Sequence, residues 1–123
     1  MSSAVNIVYL GIGAASGAMV RYGVGLALPF STQQFAWATF TVNIMGCLLI
    51  GFLSQIIDQA WLRMLLITGF LGAFTTFSGL GYELYQYFKA SQWQLLSLYA
   101  LLSIIFSILF VFLGSKCALY LQS

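Results

Sequence analysis

The sequence predicts an all-α integral membrane protein of four transmembrane helices with a broken third helix, assembled as a dual-topology antiparallel dimer. Three observations predict it. Of 123 residues, 62% are hydrophobic and 5% charged, and the mean hydropathy is +1.01. A water-soluble domain of this length buries only part of its chain and needs a polar shell that this composition cannot supply. Four apolar stretches also reach the length of about 20 residues needed to span a hydrocarbon core. Finally, the basic residues divide evenly. An even number of spans leaves Arg63 and Lys116 on one side and Arg21 and Lys89 on the other, so the positive-inside rule selects neither orientation. A chain that inserts both ways can pair with an inverted copy about a two-fold axis in the membrane plane.

The first span covers residues 5–28 and closes at Pro29 and the polar run Ser31-Thr32-Gln33-Gln34. No basic region precedes it and no small-residue cleavage site follows, so it reads as a retained helix rather than a signal peptide. The second span, 37–57, is separated from the third, 62–88, by Asp58-Gln59-Ala60-Trp61-Leu62-Arg63. Lys89-Ala90-Ser91-Gln92-Trp93-Gln94 leads into the fourth, 94–120. One domain therefore fills residues 1–123. A net charge of +2 is too small and too scattered for a nucleic-acid surface. Cys47 and Cys117 read as two separate thiols, with no disulfide or redox chemistry implied.

Small residues let membrane helices approach closely, and Gly13 with Gly17, then Gly46 and Gly51, provide them. The run Gly-Ile-Gly-Ala-Ala-Ser at 11–16 loosely matches a dinucleotide fingerprint, but it follows no strand and lacks the later acidic residue. Arg21 is either an end-of-helix anchor or a buried cation that needs water, a carbonyl or a carboxylate. Asn43 lies inside the second span, where an amide can join two helices or donate to an anion. Tyr99, Ser103 and Ser107 share one helical face by their spacing, either packing by bonding their own backbone or forming a track of hydroxyl donors. Helix-weakening residues crowd the third span: Gly69, Gly72, Thr75, Thr76, Ser78, Gly79 and Gly81. Non-helical backbone at membrane depth is tolerated only where protein or water satisfies it, and its freed carbonyls are cation ligands. Phe74 and Phe77 flank the break, and a phenyl edge can touch an anion without trapping it. Glu83 either lies at a cavity mouth or pairs with Lys89, six residues on, an offset that suits a same-helix pair poorly.

These residues resemble the small fluoride channels of the Fluc (CrcB) family over essentially the whole chain. The resemblance rests on GAMVRY at 17–22, TVNIMGCLLIG at 41–51, TGFLGAFTTFS at 68–78 and the spacing of Tyr99, Ser103, Ser107 and Gly114. It implies passive export of cytoplasmic fluoride by an antiparallel homodimer with two pores, in the plasma membrane of a prokaryote. It further implies a structural sodium ion held by the backbone carbonyls of Gly72 and Thr75 from both copies. Pore roles fall to Asn43, Phe77, Thr76, Ser78, Tyr99, Ser103 and Ser107, and vestibule roles to Arg21 and Glu83. The chain departs from the family pattern at Leu80, where a second phenylalanine is usual, at Gly79 and Gly81, where hydroxyls are usual, and at Phe106, where glycine is usual.

Two other functions share this size and topology. A proton-coupled small multidrug exporter needs a membrane-embedded carboxylate, for which only Asp58, in a loop, and Glu83, beyond the break, are available. A non-conducting subunit of a heterodimeric fluoride channel is the other, motivated by Leu80. An enzyme is disfavoured, since the chain has no His, no paired carboxylates and no nucleophile with a base.

Overall fold

The computed structural model describes residues 2–123. Four helices in it are long and apolar enough to cross a membrane: α1 (Ser3–Ala27), α2 (Trp37–Ile56), α3 (Ala60–Lys89) and α4 (Trp93–Gln122). No strand occurs among the described residues. Each end lies within two residues of the hydropathy-based expectation.

Local chemistry fixes these ends. Ser2 caps α1, its hydroxyl accepting the Val5 amide at 3.3 Å. Leu28 leaves the helix at φ −128°, as the residue before a proline does. Arg63 folds back over the C-terminus of α2, donating to the carbonyls of Ser54 at 3.3 Å and Ile57 at 2.7 Å. Between α3 and α4 the chain reverses through Ser91, left-handed at φ 57°, with the Gln92 amide returning to the Tyr87 carbonyl.

Helices in lipid gain little from hiding apolar surface from one another, so close backbone approach drives their packing. α1 lies chiefly on the first half of α3, and α2 on α4. A Cβ at Gly13 or Gly17 would strike the carbonyl oxygen of Leu65 or Phe70. Gly51 and Gly114 do the same for the second pair, against the carbonyls of Val111 and Leu48. The small residues therefore seat helices of one chain together.

α3 is irregular. After one α-helical turn, Arg63–Leu71 form a π-helix, the wider coil on which Gly13 and Gly17 press. Gly72–Phe74 return to α geometry. Thr75 and Thr76 are then extended, at φ/ψ of −88°/159° and −149°/118°, before the helix resumes at Phe77–Lys89. The sequence points to weakness over about three turns, yet the interruption occupies two residues. Gly69, Gly72, Gly79 and Gly81 all remain helical, because glycine permits a break without dictating one. Phe74 is buried on the near side, stacked on Phe70 with centroids 5.6 Å apart.

Candidate functional site

Two extended residues deprive the neighbouring peptide groups of their helical partners, and a bare peptide group in hydrocarbon costs several kcal/mol. Other helices satisfy them. From α2, Asn43 grips both sides of Thr76: its Oδ1 accepts the Thr76 amide at 2.8 Å and its Nδ2 donates to the Thr76 carbonyl at 3.1 Å. From α1, the Nε of Arg21 donates to the Ala73 carbonyl at 2.9 Å. Thr76 caps the resumed helix, its hydroxyl accepting the Gly79 amide at 2.9 Å and lying 3.3 Å from the Ser78 hydroxyl. Arg21, half-buried, thus has the carbonyl partner that a cation at depth would need.

This arrangement frees two further carbonyls. A continuous helix would direct the Thr76 amide to the Gly72 carbonyl and the Gly79 amide to that of Thr75. Here the first goes to Asn43 and the second to the Thr76 hydroxyl.

Two cavities flank the break, and Thr76 lines both. The first, about 360 Å³, brings together Asn43, Gly72, Thr75, Thr76, Phe77, Ser103 and Ser107, with Cys47 and Leu80 beside them. Phe77 is 86% exposed. Ser78, expected to share this site, lines neither cavity. The second cavity, about 390 Å³, is walled by Arg21, Thr39 and Glu83, together with Tyr22 and Tyr82.

The three hydroxyls of α4 have different partners. Ser107 donates back to the carbonyls of Ser103 and Ile104, the packing habit of serine in membranes. The buried Oγ of Ser103 has no partner among the described residues, and it belongs to a residue that lines the first cavity. A buried hydroxyl left alone is costly, which makes it a donor ready for a guest. Tyr99 lines neither cavity. It is fully buried and donates to Glu83 Oε1 at 2.8 Å, while Thr39 donates to Oε2 at 2.9 Å. Glu83 thus takes two hydroxyls, and Lys89 lies over the ring of Tyr85 instead, 5.0 Å from its centroid.

Thr39 was not singled out from the sequence. Its position four residues before Asn43, on the same face of α2, was the available signal.

Comparison with known proteins places this architecture. The model of the family described as CrcB-like protein, Camphor Resistance (CrcB), matches residues 8–115. The chain belongs to the CrcB family. Its relatives include a protein of Ligilactobacillus salivarius named Fluoride-specific ion channel FluC 1, 40% identical over 109 residues, which are 89% of this chain and 96% of the relative. A Fluoride-specific ion channel FluC of Chlorobium phaeobacteroides is 39% identical over 117 residues, 91% of each chain. Another FluC, of Chlorobaculum tepidum, is 47% identical over 83 residues, 63% of this chain and 66% of its own. The CrcB match contains every residue that lines the break, Arg21, Asn43 and Gly72 through Thr76 included.

In this CrcB chain the Arg21 contact makes a direct prediction. Arg21→Leu leaves the Ala73 carbonyl without its donor and is expected to lower stability by about 1–3 kcal/mol, whereas Arg21→Lys, which keeps a charged donor, loses less. Thermal melting of the detergent-solubilised protein checks this, and equal melting of Arg21→Leu and wild type would show that the bond carries no stability.

Proposed function

We propose that this CrcB chain is a fluoride-selective channel that lets cytoplasmic fluoride leave the cell passively. The observation that carries the reading is the match, along nine-tenths of the chain, to bacterial relatives named fluoride-specific ion channels. Site chemistry supports it. Fluoride is small and holds its water tightly, so a selective path must replace that shell with close donors. The first cavity is lined by Ser103, whose buried hydroxyl has no partner among the described residues, by Asn43, whose Nδ2 gives one N–H to Thr76, and by Phe77, whose ring edge is positive. These neutral donors can bind an anion without trapping it.

The working unit in this reading is an antiparallel homodimer, multi-pass in the plasma membrane of a prokaryote. Even division of Lys and Arg and the exposed Phe77 ring support the pairing. The carbonyls of Gly72 and Thr75, separated from their helical amides, fit a structural sodium ion shared by two copies, since hard cations prefer oxygen ligands. Bound there, sodium would neutralise the converging carbonyl dipoles and hold the two breaks together.

Liposomes containing the purified chain, loaded with potassium fluoride and opened to potassium by valinomycin, test the function. Rapid fluoride release at a selective electrode, with no chloride release in a matched chloride load, is expected. Silence from folded protein would overturn the homomeric channel, and equal release of both halides would overturn its selectivity.

A further inference from the structure

The connection between α1 and α2 holds none of the candidate site residues, yet it reaches two fully buried rings. Tyr87 and Tyr99 are each 0% exposed. Two rings meet Tyr99 edge to face: Phe35 at 5.2 Å and 77°, and Tyr87 at 6.0 Å and 89°. The Tyr87 hydroxyl donates to the carbonyl of Gln34 at 2.6 Å. That bond ties the connection to α3 one residue before Phe35 and presses the Phe35 ring onto Tyr99. Phe40 backs the same ring from α2, 5.1 Å from Phe35.

Tyr99, gripped in this way, gives its hydroxyl to Glu83. With Thr39 on the other oxygen, the carboxylate is held against the wall of the cavity that Arg21 shares. We propose that Phe35 is a positioning residue for this cavity: by fixing Tyr99 it keeps the Glu83 carboxylate on the wall, out of the path of an anion entering beside Arg21. The proposal rests on the channel reading above. Without Tyr99 the carboxylate keeps only its Thr39 bond, so that it can swing inward more readily, where it repels an arriving anion and competes with the Ala73 carbonyl for Arg21.

Phe35→Leu keeps an apolar side chain and removes the ring. Fluoride release is expected to fall about tenfold, most strongly at low fluoride, where entry limits the rate. Phe35→Tyr, which restores the ring, recovers the wild-type rate. Tyr87→Phe, which drops only the bond to Gln34, moves the rate in the same direction by less. In the decisive variant, Glu83→Gln is added to Phe35→Leu, and the pair is expected to release fluoride as fast as Glu83→Gln alone, because no charge remains to swing. A defect that persists undiminished beside an active Glu83→Gln assigns Phe35 to packing alone and overturns the proposal.

A second readout needs no transport. In protein labelled with ζ-¹³C tyrosine and assigned with Tyr99→Phe, the Tyr99 resonance in Phe35→Leu is expected to move toward its position in Glu83→Gln. An unmoved resonance overturns the proposal. Wild-type protein that passes no fluoride overturns the channel reading instead, and the resonance still decides whether Phe35 holds Tyr99 on Glu83.

Discussion

Asn43→Leu is expected to abolish fluoride release and to leave little folded protein. The side chain makes two hydrogen bonds to the backbone of one residue, accepting the Thr76 amide and donating to the Thr76 carbonyl. Leucine fills a similar volume and answers neither group. Each unpaired buried polar group costs about 1–3 kcal/mol, so the loss is roughly 2–6 kcal/mol, a large part of the stability of a chain this size. Asn43→Asp separates fold from function. Its carboxylate still accepts the Thr76 amide but opposes the Thr76 carbonyl and puts negative charge on the wall of the first cavity. It is expected to fold better than the leucine variant and to pass even less anion than its folded fraction allows. Gel filtration gives the folded yield and the fluoride electrode the rate. Wild-type release from Asn43→Leu would sink the view that this amide holds the break.

Gly114→Val has the next largest expected effect. Its first added atom would overlap the Leu48 carbonyl oxygen, with the Phe52 amide nitrogen 3.0 Å away. Backbone cannot turn aside as a side-chain tip can, so α2 and α4 must separate. Overpacking of a well-packed interior costs about 1–3 kcal/mol, and with backbone as the obstacle the upper end or beyond is expected. Gly11→Ala is the comparison: a Cβ there meets nothing within 4 Å. It should be neutral, or stabilising by up to about 1 kcal/mol through the better helix propensity of alanine. If Gly114→Val melts at the same temperature as Gly11→Ala, the close α2 to α4 contact is not what holds the pair.

Much of the fold was legible because lipid imposes a simple code. Length and hydropathy fixed four spans, and Pro29, Asp58 and Lys89 marked their limits. The break was legible as a region, since glycine and threonine cluster there, but its confinement to Thr75 and Thr76 was not. That choice depends on which peptide groups Asn43 and Arg21 can reach, and reach is set by packing. The π-helix could not be read from composition: Arg63–Leu71 are mostly apolar, with Thr68 and Gly69 near the end, and nothing in them specifies the wider hydrogen-bond register. Asn43 and Arg21 were recognisable as residues needing a partner, without the partner being identifiable. Tyr99 illustrates the limit of spacing. It shares a face with Ser103 and Ser107, as expected, yet lies behind Glu83 because the Phe35 and Tyr87 rings close around it.

The order in which the helices pair has a consequence for biosynthesis. The tight contacts join α1 to α3 and α2 to α4, while helices leave the ribosome one after another. The hairpin made first, α1 with α2, is not one of the close pairs. Gly13 and Gly17 must wait in lipid for α3, and Gly51 for α4, so the chain stays loosely assembled until its last span is synthesised. Truncation before α4 should therefore leave α2 without its partner, a species suited to recognition by membrane quality-control proteases. Any second copy would then meet a subunit that is completed only near the end of translation.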